Sequence, residues 1–188
     1  NKQILRGSEI VVRCLQEQGV EYVFSYPGGS VIPLFDAFYR MDHAITQIEP
    51  CHEQNGIHAA EGYARVSGKV GVGITTSGPG ATNAVTGIAN AHLDSTPLVV
   101  FTGQVTQQLL GKDSFQEVDV TSITLPITKH NFIIKDITML APTIREAFRI
   151  AQSGRPGPVV VDIPKDIFLA QTEYGEEKPY ALGTSNPR

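Results

Sequence analysis

The residues best suited to chemistry are few and fall in short polar interruptions between apolar runs. Glu53 stands between His52 and Gln54, just ahead of a helical stripe made by Ile57, Ala60 and Ala64. A carboxylate there has two readings. One is a first-turn acid stabilised by the helix dipole. The other is a general acid–base group in a partly dry pocket, with its proton affinity raised by desolvation. Spacing alone leaves both open. Pro27-Gly28-Gly29 and Ser77-Gly78-Pro79-Gly80 are glycine turns. Each either reverses the chain tightly or lets backbone approach a ligand without an intervening Cβ. The second also precedes a helix start, which suits an anion or a ring edge.

Three familiar chemistries are excluded by spacing. Asn83 stands where the third glycine of a dinucleotide fingerprint belongs. The GYARVSGK stretch at 62–69 is one residue too long for a phosphate loop, and Val70 replaces the magnesium-holding hydroxyl. Gly56 occupies the place of the second histidine of a zinc-protease helix, and His58 is out of step. His43, His92 and His130 are scattered and read as surface or packing residues. Cys14 falls on a helical stripe and reads as core. Cys51 lies beside the glycine turns, where packing is the expected role over a free thiol near a site.

These residues need a scaffold, and the hydrophobic pattern supplies one. Helical stripes cover 7–18, 31–40, 53–67, 81–93 and 137–153, and β-prone runs cover 22–25, 45–48, 70–76, 98–102, 132–134 and 158–163. The continuous β-branched run PVVVDI predicts a strand covered on both faces. Alternation of this kind implies an α/β fold, a mainly parallel central sheet with helices on both faces. In such a sheet, ligands bind at the carboxyl ends of the strands. The turns at 27–29, 52–54, 77–80 and 103–104 all follow strands, so they should share one rim. From Gln171 the chain turns polar, so 1–170 reads as one domain and 171–188 as a linker.

The chain has 188 residues, 41% hydrophobic and 18% charged, with net charge −4. This is a globular composition with room for one large domain. A mildly acidic chain without a basic cluster argues against a nucleic-acid partner. No apolar run reaches the length of a membrane span. Two cysteines do not make a disulfide scaffold, which predicts an intracellular, cytoplasmic protein.

Taken together, YPGG at 26–29, HEQ at 52–54, AEGYAR at 60–65 and TSGPGATN at 76–83 resemble the start of thiamine-diphosphate-dependent enzymes. LDSTPLVVFTGQV at 93–105, GKDSFQE at 111–117, ITKHN at 127–131 and SGRPGPVVVDIPKD at 153–166 narrow the resemblance. They are similar to the large catalytic subunits of the acetolactate synthase (acetohydroxyacid synthase) family, over about residues 7–166. The resemblance implies a pyrimidine-binding domain. In it Glu53 would protonate the N1′ nitrogen of the cofactor's aminopyrimidine. Pro27, Gly28 and Gly29 would contact the ring, Pro79 and Asn83 would line its pocket, and Gln116 would reach the reacting centre. Ser30, Thr106 and Phe115 would border a substrate channel.

The implied reaction decarboxylates pyruvate and adds the two-carbon unit to a second 2-keto acid. The implied partners are a second copy of the chain, a diphosphate-binding domain and a regulatory subunit. Magnesium would be held by that other domain, and FAD would serve the parent enzyme. Neither the family's Gly-Asp-Gly motif nor its paired asparagines occurs here. The chain alone is therefore expected to bind thiamine diphosphate weakly and to consume no pyruvate, which an assay with cofactor and magnesium checks. Thr106 replaces a proline common in the family, and Ser30 an alanine. Proline would fix φ and remove an amide donor, so Thr106→Pro in a complete enzyme is expected to change inhibition by channel-binding compounds. Unchanged inhibition contradicts it.

Two other functions fit parts of the pattern. One is a stand-alone subunit of a 2-keto-acid decarboxylase, such as sulfopyruvate decarboxylase, whose cofactor domains lie on separate chains. The other is a non-catalytic regulatory or binding module, against which the retention of Glu53 beside Pro79, Asn83 and Gln116 argues, since fold alone never fixes activity.

Overall fold

The computed structural model describes residues 2–112 and 114–177. Six parallel strands form the central sheet: β2 (Tyr22–Ser25), β3 (Thr46–Ile48), β4 (Gly71–Thr75), β5 (Leu98–Gln104), β6 (His130–Ile133) and β7 (Pro158–Pro164). Their order is β3-β2-β4-β5-β7-β6. The central strands β4, β5 and β7 are buried along their whole length, as parallel strands covered on both faces must be.

Alternation along each strand divides the core in two. On β5, Val99 and Phe101 enter the larger cluster, while Leu98 and Val100 enter the smaller. The larger is closed by α1 (Gly7–Glu17), α2 (Ile32–Arg40), α6 (Leu140–Gln152) and α7 (Lys165–Leu169). The smaller is closed by α3 (Glu53–Ser67), α4 (Pro79–Leu93) and α5 (Val120–Thr124). The expected α/β fold, a parallel sheet with helices on both faces, is therefore present. No helix among the described residues is long and apolar enough to cross a membrane.

The strand order creates a crevice. From β2 the chain passes through α2 on one face, and from the neighbouring β4 it passes through α4 on the other. Connections that leave adjacent strands for opposite faces open a gap at the carboxyl ends, the favoured binding place in open α/β sheets.

Two expectations are corrected. The polar stretch from Gln171 does not begin as an irregular linker: Gln171–Gly175 is strand β8, antiparallel to β1 (Lys2–Arg6). Tyr174 on β8 is buried in the larger core, and its hydroxyl donates to Glu17, which also takes two bonds from Arg145. Residues 178–188 of that stretch lie outside the described residues. The helix expected from Ala81 starts earlier, at Pro79, because proline suits a first helical turn whose amides are unpaired anyway. The isolated 3-10 turn at Gln107–Leu109 and the short α5 carried no periodic signal.

Candidate active site

Glu53 is the first residue of α3, and its side chain is only 8% exposed. His52 caps the helix, its Nδ1 accepting from the Gln54 amide at 3.1 Å. That cap spends one of the orphan amides at the helix start and leaves the Glu53 carboxylate to face the rim. Asn83 on α4 donates its Nδ2 to Glu53 Oε2 at 3.0 Å. The other oxygen, Oε1, makes no hydrogen bond among the described residues and lies beside the Gly80 backbone of α4. A carboxylate held at one oxygen and open at the other can exchange a proton with a nitrogen base set against it.

Helices α3 and α4 are locked to each other further along. Glu61 is buried and accepts the Asn90 Nδ2 at both carboxylate oxygens, at 2.9 and 2.8 Å, and Arg65 at 2.8 Å. The AEGYAR motif thus contributes a structural tie that fixes the Glu53–Asn83 pair in register.

The first and third turns meet across the crevice. Ser30 Oγ lies 2.8 Å from Thr76 Oγ1 and accepts the Ser77 amide at 3.0 Å; the Ser30 amide donates to Thr76 Oγ1 at 3.3 Å. Gly28 packs so close to Thr76 that an added Cβ would sit 2.4 Å from its side chain. Ser30 is thus a buried latch between loops, with its hydroxyl already occupied. The Ser25 and Thr75 hydroxyls, at the ends of the two strands flanking the crevice, are buried without a hydrogen-bond partner among the described residues. Pro27, Gly29 and Pro79 are exposed on the rim, while Gly28 and Asn83 are half-buried.

Gln116 and Phe115 were expected from resemblance alone, outside the four turns. The structure brings Gln116 against the third turn: a Cβ on Gly78 (φ 60°) would sit 2.9 Å from the Gln116 Cβ. Gln116 itself has φ 60°, an uncommon backbone for a side-chain-bearing residue. Phe115 is 87% exposed. Thr106 is half-buried and its carbonyl accepts the Leu109 amide at 2.9 Å. Cys51 is exposed, so the packing role expected for it is corrected, whereas Cys14 is buried as expected. No three His, Cys, Asp or Glu side chains gather as a metal-binding set among the described residues.

Sequence reasoning missed a buried acid. Asp162 on β7 is 1% exposed, and burial pushes its carboxyl up to about 7 despite bonds from Thr102 and Gln104, with Asp119 adding repulsion. The signal was present as a charged residue inside PVVVDI. The folded state therefore keeps a proton that an unfolded aspartate releases near its ordinary value of about 3.9. The stability that this proton brings is present in full below about pH 4 and is lost as pH rises through about 7. Denaturation midpoints should fall between pH 5 and 8, and less steeply in Asp162→Asn. Equal slopes in the two proteins contradict this.

The chain matches the family model described as "Thiamine pyrophosphate enzyme, N-terminal TPP binding domain" over residues 5–123. It is 51% identical to the acetolactate synthase large subunit of Haemophilus influenzae over 175 residues, 93% of this chain and 30% of that protein. It is 55% identical to the large subunit of Lactococcus lactis over 161 residues, 86% of this chain and 28% of that protein. The acetolactate synthase isozyme 3 large subunit of Escherichia coli is 51% identical over 169 residues, 88% of this chain and 29% of that protein. The chain spans somewhat under a third of the length of these relatives.

Proposed function

Since the chain belongs to the thiamine pyrophosphate enzymes, through their N-terminal TPP-binding domain, we propose that its rim holds the aminopyrimidine of thiamine diphosphate for acetolactate synthesis. The observation that carries this reading is Glu53: buried, anchored by Asn83 at one oxygen and open at the other. The donor set suits an aminopyrimidine, which presents a basic ring nitrogen to a carboxyl group. The Gly80 backbone beside Oε1 adds no side chain there, while the missing side chain of Gly28 lets that turn pack on Thr76.

Thiamine diphosphate, when bound, supplies the carbon acid and the electron sink that decarboxylation of a 2-keto acid needs. This chain's residues supply placement and a proton. Glu53 would hold a proton at the ring nitrogen, and the bond from Asn83 to Oε2 leaves Oε1 free for that role. The Ser30–Thr76–Ser77 latch holds the first and third turns at a set spacing, so the ring meets a preformed wall. Pro27, Gly28, Gly29 and Pro79 are assigned to that wall, and Gln116 to the reacting centre. Ser30, Thr106 and Phe115 are assigned to the approach of the substrate.

On this reading the full protein removes carbon dioxide from pyruvate and joins the remaining two-carbon unit to the keto carbon of a second 2-keto acid. The identity of the relatives favours this over a split decarboxylase or a non-catalytic module. We assign magnesium and the cofactor's diphosphate to another domain of the full protein, FAD to the parent enzyme, and the cytoplasm as its location. A second copy of the chain completes the site, and a regulatory subunit is a further partner. The experiment is direct: supply the full protein with pyruvate, thiamine diphosphate and magnesium, and assay the product. Acetolactate is expected; acetaldehyde alone would favour a decarboxylase instead.

A further inference from the structure

The segment that carries Phe115 and Gln116 is tied down by three carboxylates. At its start, Asp166 accepts the Gln107 backbone and side-chain amides, both at 3.1 Å. Within it, Glu117 accepts the Gly111 amide, the Ser114 amide at 2.9 Å and the Ser114 hydroxyl at 3.1 Å. At its end the tie reaches the sheet. Gln104 Nε2 donates to the Val118 carbonyl at 2.9 Å and to Asp162 Oδ2 at 3.1 Å, while Gln104 Oε1 accepts the Val105 amide at 2.9 Å. Asp162 Oδ1 accepts the Thr102 hydroxyl at 2.6 Å.

The geometry fixes the orientation of the Gln104 amide. Both of its protons point at acceptors, and its oxygen faces a donor. If the amide turned over, its oxygen would face the Val118 carbonyl and Asp162 Oδ2, two acceptors, and its NH2 would face the Val105 N–H. Asp162 is the one side chain among the three groups that hold it this way round. Gln104, Thr102 and Asp162 are all essentially buried, so water offers no substitute partner. Val118 lies two residues beyond Gln116, whose backbone rests on Gly78.

We propose that Asp162 is a positioning residue for the reaction: through Gln104 it anchors Val118 and thereby sets Gln116 against the glycine turn at the rim. The inference rests on the reading of Gln116 as a group that reaches the reacting centre. Burial of an acid without a cationic partner is costly, and no cation bonds to Asp162 among the described residues. The tether accounts for a hydrogen-bond acceptor at this point of an otherwise apolar strand.

The test uses the full protein and two readouts. The first is amide hydrogen exchange of the 105–118 segment. Asp162→Ala should speed it, and Asp162→Asn should not. The carboxamide oxygen still accepts from Gln104, and the Thr102 hydroxyl turns to accept from the new N–H. The second readout is pyruvate turnover. Asp162→Ala should lower kcat by about ten- to a hundredfold, the scale of a misplaced group, with KM little changed. Asp162→Asn should stay within about threefold of the parent. In a Gln116→Ala background, Asp162→Ala should add almost no further loss, because the two act as one unit. Unchanged exchange in Asp162→Ala, or losses that multiply in the double variant, overturns the proposal. Exchange that responds as expected in a protein that consumes no pyruvate supports the tether and defeats the proposed function instead.

Discussion

Replacing Glu53 by glutamine in the full protein is expected to lower pyruvate turnover by about two to four orders of magnitude, the range for losing a positioned acid–base group. The substitution keeps the shape and the bond from Asn83, since a carboxamide oxygen still accepts its Nδ2–H. What it removes is a group that can give and retake a proton at Oε1. Stability should change little, because the lost interaction of a carboxylate with the α3 N-terminus is worth about 0.3–1 kcal/mol. Steady-state turnover and a denaturation curve on the same preparation separate the two effects. A variant within tenfold of the parent would mean that Glu53 is only a first-turn acid.

A second large effect is expected far from the rim, at Gly71→Ala. Helix α3 presses directly on β4 here: an added Cβ would lie 2.3 Å from the Ala60 carbonyl oxygen and 2.6 Å from Leu98 Cδ2. Backbone cannot move aside as a side-chain end can, so α3 must back away from the sheet. Overpacking of this kind costs about 1–3 kcal/mol, and each kcal/mol lowers the melting temperature by roughly 2–4 °C in a domain of this size. The displacement also travels along α3, because Ala60 lies two turns from Glu53. Turnover should therefore fall together with stability, unlike in Glu53→Gln, where it falls alone. A Gly71→Ala protein with an unchanged midpoint would contradict the close contact between α3 and β4.

The two variants mark which parts of the molecule the sequence discloses. The strands are legible because parallel, doubly covered strands leave continuous β-branched runs, as in PVVVDI, and the rim turns are legible because glycine and proline end those runs. Glu53 is legible as a carboxylate at a helix start. Its function is not, because capping and acid–base chemistry use the same residue at the same place. Its bond from Asn83 and the open Oε1 are what the proposed acid–base reading rests on, and both depend on how α4 packs against α3. The β1–β8 pair was missed for a different reason. Its partners lie at opposite ends of the chain, and β8 is polar except for Tyr174, so no local pattern marks it.

The polar contacts between loops were the least legible. Ser30 is expected, by resemblance, only to border a substrate channel, yet its hydroxyl joins the first and third turns across the crevice. Asp162 disturbs the hydrophobic run that reveals β7, and its meaning comes only from Gln104 beside it. Cys51 shows the reverse error: packing was expected for it over a free thiol beside the rim, but the side chain is exposed.

The measurement that tests the central claim most directly is the exchange of the C2 proton of thiamine diphosphate for deuterium on the full protein. It reports activation of the cofactor before any keto acid reacts. The parent protein should exchange that proton far faster than the free cofactor, and Glu53→Gln should fall to about the free rate. Exchange as fast in Glu53→Gln as in the parent would contradict the assignment of Glu53 as the group that holds the proton at the aminopyrimidine.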